Sequence, residues 1–122
     1  MAELHINVTE IRNNIIKLSE YLKKHKIKWS LITKVFSGDK EIMQHILTPD
    51  IVKDIHSVGD SRLSSLKRLK DWNIYLVTIY LKPPAHAYIE DVIDYADISL
   101  NSSYKTIQAL DKVAKKRNKI HK

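Results

Sequence analysis

Strand-like and helix-like stretches alternate without exception along this chain, about five times over, and that order leaves few folds open. Leu4–Val8, the apolar run that opens Trp29–Asp39, Asp54–Val58, Ile74–Leu81 and Asp97–Leu100 read as strands, rich in β-branched and aromatic residues. Between them, Ile11, Ile15, Leu18 and Leu22 recur at helical spacing, as do Ile42, Met43, Ile46 and Leu47, and then Leu63, Leu66 and Leu69. Tyr88, Ile89, Val92, Ile93 and Ala96 mark a fourth helix, and Ile107, Leu110, Val113 and Ala114 a fifth. Punctuation agrees: Asn7 stands three residues before Glu10, Asp39 and Asn101-Ser102 are placed to cap helices, and Pro49 and Pro83-Pro84 end elements. Strands separated by helices cannot pair as hairpins, so they form a parallel sheet through right-handed crossovers. One strand per roughly 20–25 residues is the tight repeat of a β/α barrel. The expected fold is therefore α/β, a partial (β/α) TIM-type barrel of parallel strands alternating with helices.

A closed barrel of this type has eight strands. Here there are five, or six if Ile120 begins another. Residues 1–122 are thus expected to be the N-terminal portion of a barrel, ending before it is complete. The other solutions are closure with a second copy or an open, doubly wound sheet. In each, ligands bind at the strand-to-helix turns, and those turns hold Lys34, Asp60-Ser61-Arg62 and Asn101-Ser102.

Composition narrows the setting. With 43% hydrophobic and 29% charged residues, 122 residues make one ordinary globular domain. No cysteine is present, which excludes disulfides and thiolate-bound metals. No basic-then-apolar leader opens the chain, and Ile74–Leu81 is too short to span a bilayer. The expectation is a cytoplasmic protein without a membrane partner. The formal charge of +7 favours anionic company. Its two dense runs, Lys23-Lys24-Lys26-Lys28 and Lys115-Lys116-Arg117-Lys119, lack the interleaved aromatics of a single-strand binder and the layout of a helix-turn-helix. They read as solvated helix faces, with nucleic acid the lesser expectation. The six histidines show no metal-binding spacing, so no metal is expected, and His56 reads as a core residue of its strand.

Lys34 is the residue that most invites chemistry. It interrupts the apolar run W-S-L-I-T-K-V-F, followed by the turn S-G-D. An ammonium there must reach water, find a partner or lose its charge. A neutral amine attacks carbonyls and forms Schiff bases; a strand-end lysine that snorkels to solvent does nothing of the kind. Local pattern alone favours the snorkelling lysine and gives no ground to set that reading aside.

Three segments taken in order do. I-T-K-V-F-S-G-D around Lys34, V-G-D-S-R-L-S-S-L-K-R-L from Val58 to Leu69, and A-D-I-S-L-N-S from Ala96 to Ser102 resemble the N-terminal barrel of the alanine racemase-like, fold-type III pyridoxal-phosphate proteins. The nearest likeness is to the branch of ornithine racemase-like enzymes, and it covers nearly the whole chain from the helix after Asn7.

The resemblance implies an amino-acid racemase that uses pyridoxal 5'-phosphate. Lys34 would form the Schiff base and abstract the α-proton of a small amino-acid substrate. Asp60, Ser61, Arg62 and Asn101 would line the cofactor pocket, with helix capping as the plain alternative for Asp60, Ser61 and Asn101. The opposite-face base and the later barrel residues lie outside these residues in the family, so a homo-oligomer or a further C-terminal region is implied. Two departures stand out: no tyrosine follows in the turn Val35-Phe36-Ser37, and Thr78 stands where the ornithine-like branch has an arginine. A non-catalytic pyridoxal-phosphate-binding homeostasis protein and a basic nucleic-acid-binding module are the alternative functions. The extended Leu4–Val8 favours the racemase, since two-domain members begin that way.

Overall fold

A computed structural model describes all 122 residues. Helix α1 (Val8–Lys24) leads into β1 (Ser30–Ile32), α2 (Lys40–Ile46) and the single turn α3 (Pro49–Val52). Then follow β2 (Ser57–Asp60), α4 (Leu63–Asp71), β3 (Val77–Tyr80), α5 (Ile89–Tyr95), β4 (Ile98–Ser99) and α6 (Tyr104–Lys116). The four strands are all parallel and lie in sequence order, with Ile32 opposite Gly59, Gly59 opposite Ile79, and Ile79 opposite Ile98.

That order settles one alternative. Right-handed crossovers that always step the same way put every helix on one face, whereas a doubly wound sheet needs a reversal. Burial alternates along β3, whereas all four residues of β2 are buried. Val58, Asp60, Thr78 and Tyr80 are buried beneath the helices, while Ile32 and Val77 on the opposite face are 45% and 37% exposed. The sheet is thus a singly wound arc, helices outside and an apolar face left open, consistent with part of a barrel. The core joins Val58 and Tyr80 to Met43, Ile46, Leu66, Leu69, Val92 and Leu110 of the helices.

The caps follow the expected chemistry at α1 and α2, where Asn7 accepts from the Glu10 N–H and Asp39 from the Ile42 N–H. Pro49 begins α3 rather than only ending α2. The cap of α6 is Ser103, not Asn101-Ser102. Residues 1–6 make no backbone hydrogen bond, so Leu4–Val8 is not a strand: the pattern suits one, but a strand needs a ladder partner. The second strand falls at Ser57–Asp60 instead of Asp54–Val58, because Ile55 is buried in the turn leaving α3. His56 just before it is exposed, not a core residue. Tyr80 is buried, whereas Tyr75 is 89% exposed and lies outside the strand. No strand forms at Ile120, which is 89% exposed, but the chain meets the sheet two residues later. Lys122 accepts from the Ser99 N–H and donates to the Asp97 carbonyl, the bonding of a parallel strand on the outer edge of β4.

Candidate functional site

The strands carry their neighbours' turns to one pole, the carboxyl end of the sheet. Lys34 stands there because β1 is shorter than its apolar run. Thr33 donates to the Gly59 carbonyl at 2.9 Å, and Lys34–Phe36 then curl into a 3-10 turn. Lys34 is exposed and makes no ion pair and no side-chain hydrogen bond. The chain reverses through two left-handed residues, Ser37 at φ 51° and Gly38 at φ 69°. Glycine is needed here twice over: the conformation disfavours a side chain, and a Cβ on Gly38 would lie 3.1 Å from Ser65.

This turn is held by the next one. The Arg62 guanidinium donates to Ser37 Oγ at 2.8 Å, and Arg68 donates to the Ser37 and Gly38 carbonyls at 3.2 and 3.4 Å. Arg62 therefore meets the lysine turn, as a clamp on it. Asp60 is only 1% exposed; its Oδ1 accepts from the Arg62 N–H at 2.8 Å, and its Oδ2 is buried with no partner. Neither Asp60 nor Ser61 caps α4, whose cap position is Arg62 with no side-chain cap bond. Ser61 is half-buried beside them.

Asn101 lies apart, beyond β4, the last of the four strands and three sheet positions from β1, or roughly 14 Å at ordinary strand spacing. Its Nδ2 donates to the Ser99 carbonyl and to Ser99 Oγ, at 3.1 and 2.9 Å, and its Oδ1 is buried without a partner. The pole thus brings Lys34, Asp60, Ser61 and Arg62 into adjoining turns and keeps Asn101 at their far edge. Thr78 does not belong to it. Its hydroxyl donates to Asp97 Oδ2 and the Tyr95 carbonyl on the helix-covered side.

Arg68 and Ser65 were not readable as part of this arrangement, since they meet the turn across some thirty residues of sequence. The open face was not readable either, because I-Y-L-V-T-I-Y-L is a near-continuous apolar run and its one polar residue, Thr78, lies on the buried side. No group of histidine and carboxylate side chains is placed to hold a metal ion, and no helix is long and apolar enough to cross a membrane.

One group at this pole fits pyridoxal phosphate, the exposed Lys34 amine, which has no counter-ion to displace. The buried, unpartnered oxygens of Asp60 and Asn101 form no common cradle with it, since Asp60 lies beneath the helices and Asn101 three strands away.

No family model matches the chain. It is 34% identical over 124 aligned residues to the ornithine racemase of Acetoanaerobium sticklandii, an alignment that takes in 98% of this chain and 32% of that enzyme. The chain therefore spans about a third of the length of the curated relative it matches, and along nearly all of its own length it is similar to an amino-acid racemase.

Proposed function

We propose that these residues form the cofactor-bearing part of a pyridoxal-phosphate-dependent amino-acid racemase acting in the cytoplasm, with Lys34 as both the point of attachment and a catalytic residue. The observation that carries this is an unpaired, exposed lysine amine at the carboxyl end of β1, in a chain similar throughout to an ornithine racemase. When bound, pyridoxal phosphate supplies an electron-withdrawing ring that acidifies the α-hydrogen of an amino acid. Lys34 holds the cofactor and, with its amine free, takes or returns the proton at the substrate α-carbon.

The clamp made by Arg62 and Arg68 fixes the turn that follows Lys34 and so limits where its amine can reach. Asp60 orders the start of the Arg62 turn by accepting from the Arg62 N–H, and Asn101 stands at the far edge of the same pole. Inversion needs a second acid/base on the opposite face of the α-carbon. A partner subunit or a further C-terminal region supplies that group, and the open apolar face of the arc suits such a neighbour.

The test is the visible absorbance of the purified chain mixed with pyridoxal phosphate, beside Lys34→Ala. We expect a new band in the first and none in the second, with peptide mapping after reductive trapping placing the added mass on Lys34. An equal band in Lys34→Ala, or trapping spread over many lysines, overturns the proposal.

A further inference from the structure

The opposite pole of the sheet holds a cleft of about 440 Å³ between the end of α1 and the segments entering β1 and β2, a volume ordinary for a small-ligand site. Lys23, Lys26, Lys28 and Lys53 line it with His56, and Asp54 is its one carboxylate. Asp54 is already engaged, by Lys23 at 3.1 Å. Lys26, Lys28 and Lys53 make no ion pair and no side-chain hydrogen bond. Ser19, also in the lining, is 6% exposed and its Oγ is buried without a partner. Like charges gathered around one hollow repel, and an anion relieves that repulsion while giving the hydroxyl an acceptor.

The backbone adds an independent sign. Helices α1, α4 and α6 end in the same motif, a left-handed residue whose N–H bonds back three residues, followed by one that bonds back five. At α4 and α6 the left-handed residue is Asn73 or Asn118, the side chain that tolerates the conformation. At α1 it is Lys26, at φ 56°, and it borders the cleft. A cation replaces the residue that the other two helix ends use.

The geometry points to a binding site here for a small molecule bearing a diphosphate. A terminal phosphate carries about −1.5 to −2 charges at neutral pH, so three free ammonium groups call for more than one phosphate. Lys26, Lys28 and Lys53 take the phosphate oxygens, and the Ser19 hydroxyl turns to donate to one of them. The site is separate from Lys34 and independent of its role.

The experiment titrates the 122-residue chain with sodium pyrophosphate, followed by calorimetry and amide chemical shifts. Saturable binding is expected, with shifts centred on residues 19, 26–28, 53 and 56. Lys26→Asn and Lys53→Gln should each weaken it about tenfold, the worth of one charge-assisted hydrogen bond. Lys116→Gln, the same loss of charge on α6, should change it less than about twofold. Lys26→Asn restores the side chain that α4 and α6 already use, so the variant is expected to fold. Absence of saturable binding, shifts elsewhere, or equal weakening by Lys116→Gln overturns the site. Tight binding of a single-stranded RNA that pyrophosphate fails to displace overturns the small-ligand assignment in favour of nucleic acid.

Discussion

The ends of α1 and α6 carry equally dense basic runs on the same backbone motif, and they put their charges to opposite uses. At α6, Lys115 pairs with Asp111 at 2.7 Å, Arg117 with Glu90 and Asp94 at 3.2 and 3.3 Å, and Lys119 with Asp94 at 3.4 Å. Lys119 also donates to the Ile93 carbonyl. Arg117 and Lys119 knit the end of α6 to α5, and Lys115 pairs within α6. At α1 only Lys23 finds a carboxylate, and the rest of the run faces solvent or the cleft. The carbonyl end of a helix favours cations in either case; what differs is whether a neighbouring element brings acids. The basic run at α6 is therefore largely neutralised by neighbouring acids while the run at α1 is not, and of the two it is the α1 run that can attract an anion.

The strongest way to break the comparison is at α4, the third helix with this ending. Its Lys70 pairs with Asp97 at 3.3 Å, and Asp97 Oδ2 also accepts from the Thr78 N–H and hydroxyl at 2.8 and 2.9 Å. Thr78 is buried, so Asp97→Ala strands its N–H beneath the helices, while its hydroxyl keeps the Tyr95 carbonyl as acceptor. A loss of about 1–3 kcal/mol is expected in urea unfolding. The pH dependence has a definite sign. Burial opposes ionisation of Asp97, but the Thr78 hydrogen bonds and Lys70 outweigh it and hold the carboxyl below the usual range. A depressed carboxylate adds stability above its unfolded value of about 3.9, and that stability disappears as pH falls through the folded value. Asp97→Ala should show a shallower decline below about pH 4; an unchanged slope would remove Asp97 from the account.

Asp94→Ala tests the seam between α5 and α6 itself. It removes the carboxylate of Lys119 and leaves Arg117 with Glu90 alone, but Asp94 and both cations are partly exposed. The expected cost is about 1 kcal/mol or less, and it should shrink in high salt. If salt leaves the difference between Asp94→Ala and the parent chain unchanged, the link between α5 and α6 is packing rather than charge.

How much of this was legible in the sequence depends on range. The alternation of elements was readable because apolar spacing is local, and Asn7 and Asp39 cap as their positions suggest. Strand limits were not, because the ladder decides them: Ile55 is apolar yet packs from a turn, and Leu4–Val8 has a strand's pattern without a partner. Lys34 stood out as an amine in an apolar run, whereas its clamp, Arg62 and Arg68 on Ser37 and Gly38, is a contact across the fold. Lys23–Lys28 and Lys115–Lys119 look alike in sequence, since pairing depends on carboxylates that only the fold brings near.

The smallest expected effect sharpens the comparison most. Lys26 holds a left-handed backbone that costs a side-chain-bearing residue more than it costs asparagine. Lys26→Asn should therefore raise stability by about 0.5 kcal/mol, and Asn118→Lys should lower it by a similar amount; paired urea midpoints measure both. A gain in stability at Lys26 joined to a loss of pyrophosphate affinity means that the lysine is there for the cleft and not for the helix. Should Lys26→Asn instead destabilise the chain, the Lys26 side chain supports the fold, and the two helix ends differ in packing rather than in purpose.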